Sequence, residues 1–127
     1  MIEPAFLLDS NICIYLLKGL SATARAKLEE RAFGEVVTSA VAYAEVMLGI
    51  DPSDEDARVR AARFFAIITV QPFDAAAADV YARLPFKRRS FDRLIAAHAV
   101  ASGLSLVTRN IADFADVPSL SVEDWTR

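Results

Sequence analysis

The chain holds one cysteine, one histidine and four glycines in 127 residues, and each scarcity closes off a class of chemistry. A lone Cys13 can form no internal disulfide, which suits a reducing compartment. Cys13 and His98 together offer no zinc-type ligand set. His98 is expected to be structural and Cys13 a small buried apolar side chain. Four glycines leave no room for the Gly-rich phosphate loop of a P-loop or dinucleotide-binding fold, so a nucleotide-driven enzyme is not expected. No apolar run approaches the roughly 20 residues of a membrane helix. The longest stretches are broken by charge, as at Glu45 and Arg63. The start carries Glu3 and Pro4 and lacks the basic region and cleavage site of a signal peptide. The expectation is a cytoplasmic protein with no membrane partner. Basic excess is also missing: 14 Lys and Arg face 17 Asp and Glu, for a net charge of −3. That balance argues against bulk electrostatic binding of nucleic acid. Any such contact is local, and the candidates are Lys87, Arg88, Arg89, Arg93 and Arg109.

Apolar residues, by contrast, are abundant at 54%. A chain this short has room for one core, so residues 1–127 are read as a single domain with a large buried share. The apolar excess also points to a surface buried against a partner.

Along the chain, short β-branched or apolar runs alternate with helical patterns. Strands are expected at Ala5–Leu8, Glu35–Thr38, Ile67–Val70, Leu104–Thr108 and Leu120–Val122. Helices are expected from Ile12 to Leu17, Ser21 to Ala32, Ala40 to Leu48, Glu55 to Phe65, Asp74 to Leu84 and Ser90 to Ser102. Gly19, Gly49 and Gly103 stand at helix ends, and Asp51-Pro52-Ser53-Asp54 is the strongest loop signal. This alternation predicts an α/β fold with a short, mainly parallel sheet between two helical layers. In such sheets the ligand site lies beyond the carboxyl ends of the strands.

Four acidic residues fall at that edge. Asp9 follows the first strand, where it could equally be a helix N-cap. Glu45 shares a helix face with Val41, Ala42, Leu48 and Gly49, an apolar setting that is costly for an unpaired charge. Asp92 sits in a first helical turn with Ile95 and Ala96 one turn on. Its bland role is a favourable helix-dipole interaction. Asp113 follows the fourth strand in company with Thr108 and Asn110, residues that an ordinary turn also uses. Each has a structural explanation when taken alone, Glu45 least of all. Together they form a cluster whose mutual repulsion a divalent cation would relieve. All-oxygen ligation favours Mg²⁺ or Mn²⁺. Such ions activate water and stabilise charge on a phosphodiester.

The segments Leu7-Leu8-Asp9-Ser10-Asn11-Ile12-Cys13-Ile14-Tyr15, Ser39 through Gly49, Asp92 through Ala99, and Leu106 through Asn110 with Asp113-Phe114 resemble the PIN domain family. The likeness is closer still to the VapC toxins of bacterial toxin–antitoxin pairs. It covers nearly the whole chain. The resemblance implies a PIN-like three-layer α/β/α fold, Mg²⁺- or Mn²⁺-dependent RNA cleavage, a homodimer, and inhibition by a cognate VapB-like antitoxin. By matched position, Asp9, Glu45, Asp92 and Asp113 are the metal-site acids, with Asn11, Thr108 and Asn110 in support. Many relatives carry an acid at or near position 110, so Asn110 competes with Asp113 for the fourth place. Phe91 stands where many relatives have Asn. The first segment resembles toxins that cut initiator transfer RNA.

Rival classes fit less well. A phosphorylated receiver domain needs paired acids after its first strand and a lysine after its last, whereas this chain has Asp9-Ser10-Asn11 and no lysine after Lys87. A haloacid-type phosphatase needs Asp where Asn11 stands. The alternative within the family is a catalytically silent domain that only engages an antitoxin or RNA. Four acids near one edge argue against it.

Overall fold

The computed structural model describes residues 2–85 and 90–127. Its first strand, β1 (Phe6–Leu8), is buried along its whole length. Phe6 and Leu8 face one core, and Leu7 faces the other. A strand enclosed on both sides reads as an uninterrupted apolar run, which is why Phe-Leu-Leu shows no polar alternation. β2 (Val36–Ser39), β3 (Thr69–Gln71), β4 (Ser105–Val107) and β5 (Val122–Glu123) complete a sheet of order β3-β2-β1-β4-β5. All four pairings are parallel, with Leu8 level with Thr38 on one side and with Val107 on the other.

The helices between them are α1 (Ser10–Lys18), α2 (Ala22–Glu29), α3 (Ala40–Leu48), α4 (Glu55–Ile67), α5 (Ala75–Arg83) and α6 (Phe91–Ser102). Each opens on a Ser or Asp whose side chain accepts a backbone N–H from the first turn: Asp9, Ser21, Ser39, Asp54, Asp74 and Ser90. Caps of this kind contribute about 1 kcal/mol each. α1 and α6 end on Gly19 (φ 65°) and Gly103 (φ 69°), a left-handed conformation that other residues adopt at a cost.

Residues of α1, α2 and α4 pack with Phe6, Leu8, Val36 and Val107 into one core, closed by Trp125 edge-on to Phe6 at 5.3 Å. α6 packs Ile95, Ala96 and Ala99 onto Leu7, Val37 and Leu106 in the other. α3 contributes Val46 to the first core and Ala42 to the second. The expected three-layer architecture is thus present, with a fully parallel sheet.

Several boundaries differ. α1 starts at Ser10, two residues before the expected Ile12, with Asp9 as its cap. α2 ends at Glu29, three residues short of the expected Ala32. α4 runs through Ile67: the Ile68 N–H donates to Phe64 O at 2.8 Å, and Ile68 is buried one turn on from the half-buried Phe64. β3 therefore begins only at Thr69. The last strand lies at Val122–Glu123, because the Leu106 and Thr108 amides donate to Ser121 and Glu123. A short 3₁₀ turn, Ile111–Phe114, has no counterpart among the expected elements.

Among the described residues no helix is long and apolar enough to cross a membrane. Cys13 is fully buried beside Thr38, with Sγ 3.6 Å from Oγ1. Burial pushes its thiol up to about 12, so it is an inert core residue. His98 is buried too, with Nδ1 2.8 Å from Ser39 Oγ and its ring edge-on to Phe73.

Candidate active site

The strand order makes β1 the turning point of the sheet. The chain leaves β1 toward β2 and later leaves β4 in the opposite direction, toward β5. In open parallel sheets the crevice at such a reversal is the usual ligand site. Asp9 and Thr108 are the first residues beyond β1 and β4, so the two sit at its mouth. The Asp9 amide donates to Val107 O at 3.1 Å.

Asp9 is 2% exposed. Its Oδ1 accepts the Ile12 N–H at 2.8 Å, so it is the cap of α1. It also belongs to the acidic cluster: burial raises its carboxyl from the usual 3.8 to about 6, with Asp92 and Glu45 adding to the rise. Hydrogen bonds from Ile12 and from the Thr108 side chain work the other way. The Thr108 hydroxyl accepts the Asn110 N–H at 3.1 Å, which leaves its single proton for Asp9.

Glu45 is half-buried on α3, and its Oε1 accepts the Ser10 hydroxyl at 3.0 Å. Its carboxyl is raised by burial and by Asp92. Asp92, half-buried in the first turn of α6, is raised by burial and by Asp113. Asp113 is exposed in the 3₁₀ turn. Its carboxylate acts on Asp92, whereas Asn110 brings no charge and caps that turn without a side-chain bond. Asn11 is exposed in the first turn of α1.

The structure thus links Asp9, Glu45 and Asp92 to one another electrostatically and Asp113 to Asp92. Among the described residues, no three acidic, His or Cys side chains converge closely enough to enclose an ion by themselves. An ion held here would keep part of its water shell. The donor set is all oxygen, and its carboxyls are raised in the way that a cation would reverse.

Of the basic candidates, Arg109 is exposed beside Thr108. Arg93 is not at the surface. It is 8% exposed, with Nη1 3.2 Å from Asp116 Oδ1 and Nη2 donating to Pro85 O at 2.9 Å. A guanidinium engaged in this way has no free face for a phosphate, and its role is to tie α6 to the segment before it. Lys87, Arg88 and Arg89 lie outside the described residues. Two side chains near the site go beyond those expected from sequence. Ser10 donates to Glu45, and Tyr15 holds Arg109. The position of Ser10 directly after a strand-exit acid is the only signal that could have found it.

The fold is a parallel sheet between helical layers, with carboxylates at its topological reversal. The chain belongs to the PIN domain family, whose sequence profile matches residues 6–120. It is 35% identical over 130 residues to the tRNA(fMet)-specific endonuclease VapC of Shigella flexneri, covering 95% of this chain and 98% of that protein. It is 28% identical to ribonuclease VapC2 of Rickettsia felis, over 96% and 98% of the two chains. In three dimensions it matches the crystal structure of VapBC2 from Rickettsia felis bound to a DNA fragment from their promoter. The TM-score is 0.85 at 27% identity, over 95% of this chain and 98% of that one.

Proposed function

We propose that residues 1–127 form a single nuclease domain that hydrolyses RNA phosphodiester bonds as the toxin of a toxin–antitoxin pair, with transfer RNA as the substrate class. The observation that carries this reading is Asp9, a nearly buried carboxyl raised to about 6 at the sheet reversal, with Glu45 and Asp92 acting on it. The similarity to VapC ribonucleases along nearly the full length of both chains supports it. The partners that follow are a VapB-like antitoxin and a second copy of the chain. The setting that follows is the cytoplasm.

Asp9, Glu45 and Asp92, with Asp113 beside Asp92, would hold Mg²⁺ or Mn²⁺, and Asn11 and Asn110 would support them. Such an ion supplies a Lewis acid for the phosphodiester and for the attacking water. Thr108 and the Ile12 N–H fix the Asp9 carboxylate in one orientation. Ser10 does the same for Glu45. Glu45 and Asp92 are half-exposed and raised, so water reaches them, and they accept a proton more readily than an ordinary surface carboxylate.

Incubation of total RNA with the protein tests the reading. Discrete cut ends that vanish with EDTA are expected. Asp92→Asn should cut at least about a hundredfold more slowly, the scale of a lost acid–base or charge-positioning group, with a melting temperature in EDTA no lower than that of the wild type. Wild-type cleavage by that variant would overturn the site.

A further inference from the structure

The acidic edge poses a problem for its substrate. Four carboxylates repel RNA phosphates, and the chain as a whole is negative. A cation beside the site would offset this, provided that its charge is not already neutralised. Arg25, Arg31, Arg93 and Arg127 face the carboxylates of Glu29, Glu35, Asp116 and Asp124. Arg109 differs. Its guanidinium donates to the Tyr15 hydroxyl and lies over the Tyr15 ring at 4.9 Å. Both contacts are with a neutral group, so the full charge remains. Five N–H donors in a planar fork, with one engaged by Tyr15, leave the rest for an oxyanion. Arg109 is exposed.

The placement is specific. Arg109 follows Thr108, whose hydroxyl meets Asp9. Tyr15 is one helical turn from Asn11 on the same face of α1, and Asn11 stands in the first turn beyond Asp9. A strip therefore runs from the acids across Asn11 to the Tyr15–Arg109 pair.

Resting on the ribonuclease reading, we propose that Arg109 is a substrate-binding residue that takes an RNA phosphate flanking the cut bond, and that Tyr15 is the positioning residue that aims it. The aromatic ring holds the guanidinium by a cation–π contact, and the hydroxyl accepts one of its N–H groups. A guanidinium already ordered loses less freedom when it binds.

The test uses the full chain and a fluorescent single-stranded RNA. Anisotropy in EDTA reads binding without cleavage, and steady-state cleavage with Mn²⁺ gives KM and kcat. Arg109→Gln should weaken binding and raise KM about tenfold, the scale of one charge-assisted hydrogen bond, with kcat nearly unchanged. It should also flatten the dependence of log affinity on log salt by about 0.7, one phosphate on a single strand. Tyr15→Phe should weaken binding by a smaller factor and keep the wild-type salt slope, since the charge stays. Tyr15→Phe retains the ring packing, so a folding defect does not confound it. If the wild type cleaves RNA and Arg109→Gln matches it in KM and salt slope, the assignment is overturned and the ribonuclease reading stands. The assignment also falls if Arg109→Gln binds RNA normally but escapes an inhibiting antitoxin. If the wild type neither binds nor cleaves RNA, both fall together.

Discussion

Asp9→Asn should make the metal-free protein more stable at neutral pH while ending its activity. The Asp9 carboxyl is raised from 3.8 to about 6, chiefly by burial. At about 1.36 kcal/mol per pH unit, that displacement corresponds to about 3 kcal/mol. Its sign follows from linkage. The folded-state value lies above the unfolded one, so the native protein holds the proton more tightly. The stability this contributes is fully present below pH 3.8, declines as pH rises toward 6 and is gone above it. Asparagine is neutral throughout and caps a helix as well as aspartate, so the 2.8 Å bond from Ile12 N–H is kept. The bond from Thr108 is weakened at a cost of about 1 kcal/mol, which leaves a net gain of about 2 kcal/mol at pH 7.5. For a domain of this length that is roughly 5–10 °C in melting temperature.

Urea denaturation in EDTA, repeated from pH 3.5 to 7.5, measures the gap between variant and wild type. The gap should be small at the acid end, open between pH 4 and 6 and level off above. Saturating Mn²⁺ should then reverse the order, because an ion at a hundred times its Kd adds about 2.7 kcal/mol to a folded state that binds it and nothing to the variant. The reasoning is refuted if Asp9→Asn is the less stable protein at pH 7.5 in EDTA, or if the gap does not change with pH.

Other expectations follow from the same geometry. Arg93→Ala should destabilise the fold by about 3 kcal/mol in urea, because it removes the charge facing Asp116 and the donor to Pro85 O. The same variant should leave the salt slope of RNA binding unchanged, in contrast to Arg109→Gln. Gly103→Ala should cost about 1 kcal/mol in thermal unfolding: φ is 69° and no atom lies within 4 Å of the added Cβ, so the cost is that of the backbone conformation alone.

Much of this architecture is legible in the chain because several local signals agree. Ser39-Ala40 and Ser90-Phe91 mark helix starts by cap chemistry, and Gly19 and Gly103 mark ends by a conformation that glycine favours. The alternation of short strands and helices is enough to place the carboxyl edge. Tertiary context explains what could not be read. α4 continues through Ile67 because Ile68 must be buried one turn beyond Phe64, and β-branched residues at that junction look the same whether helix or strand claims them. Arg93 belongs by sequence to a basic run, yet its partner Asp116 lies 23 positions away. No local pattern separates a guanidinium in solvent from one turned inward. Tyr15 and Arg109 are 94 positions apart and become neighbours only when the β4 exit passes α1.

Asp9 shows why structural and chemical explanations of a residue need not compete. A parallel strand that ends at a helix start needs an acceptor for the free N–H groups of the first turn, and a carboxylate serves well. The same strand exit, placed at the reversal of the sheet, is enclosed by neighbouring strand ends. The carboxylate that caps α1 is therefore also desolvated and exposed to the charge of Asp92 and Glu45. Capping orients one oxygen and burial raises the affinity of the group for a positive partner, whether proton or metal. If the residue were only a cap, serine at this position would serve as it does at Ser21, Ser39 and Ser90, without a charge to bury. A net cost of about 3 kcal/mol, carried where a neutral cap is available, is what the proposed metal-binding role of Asp9 would account for.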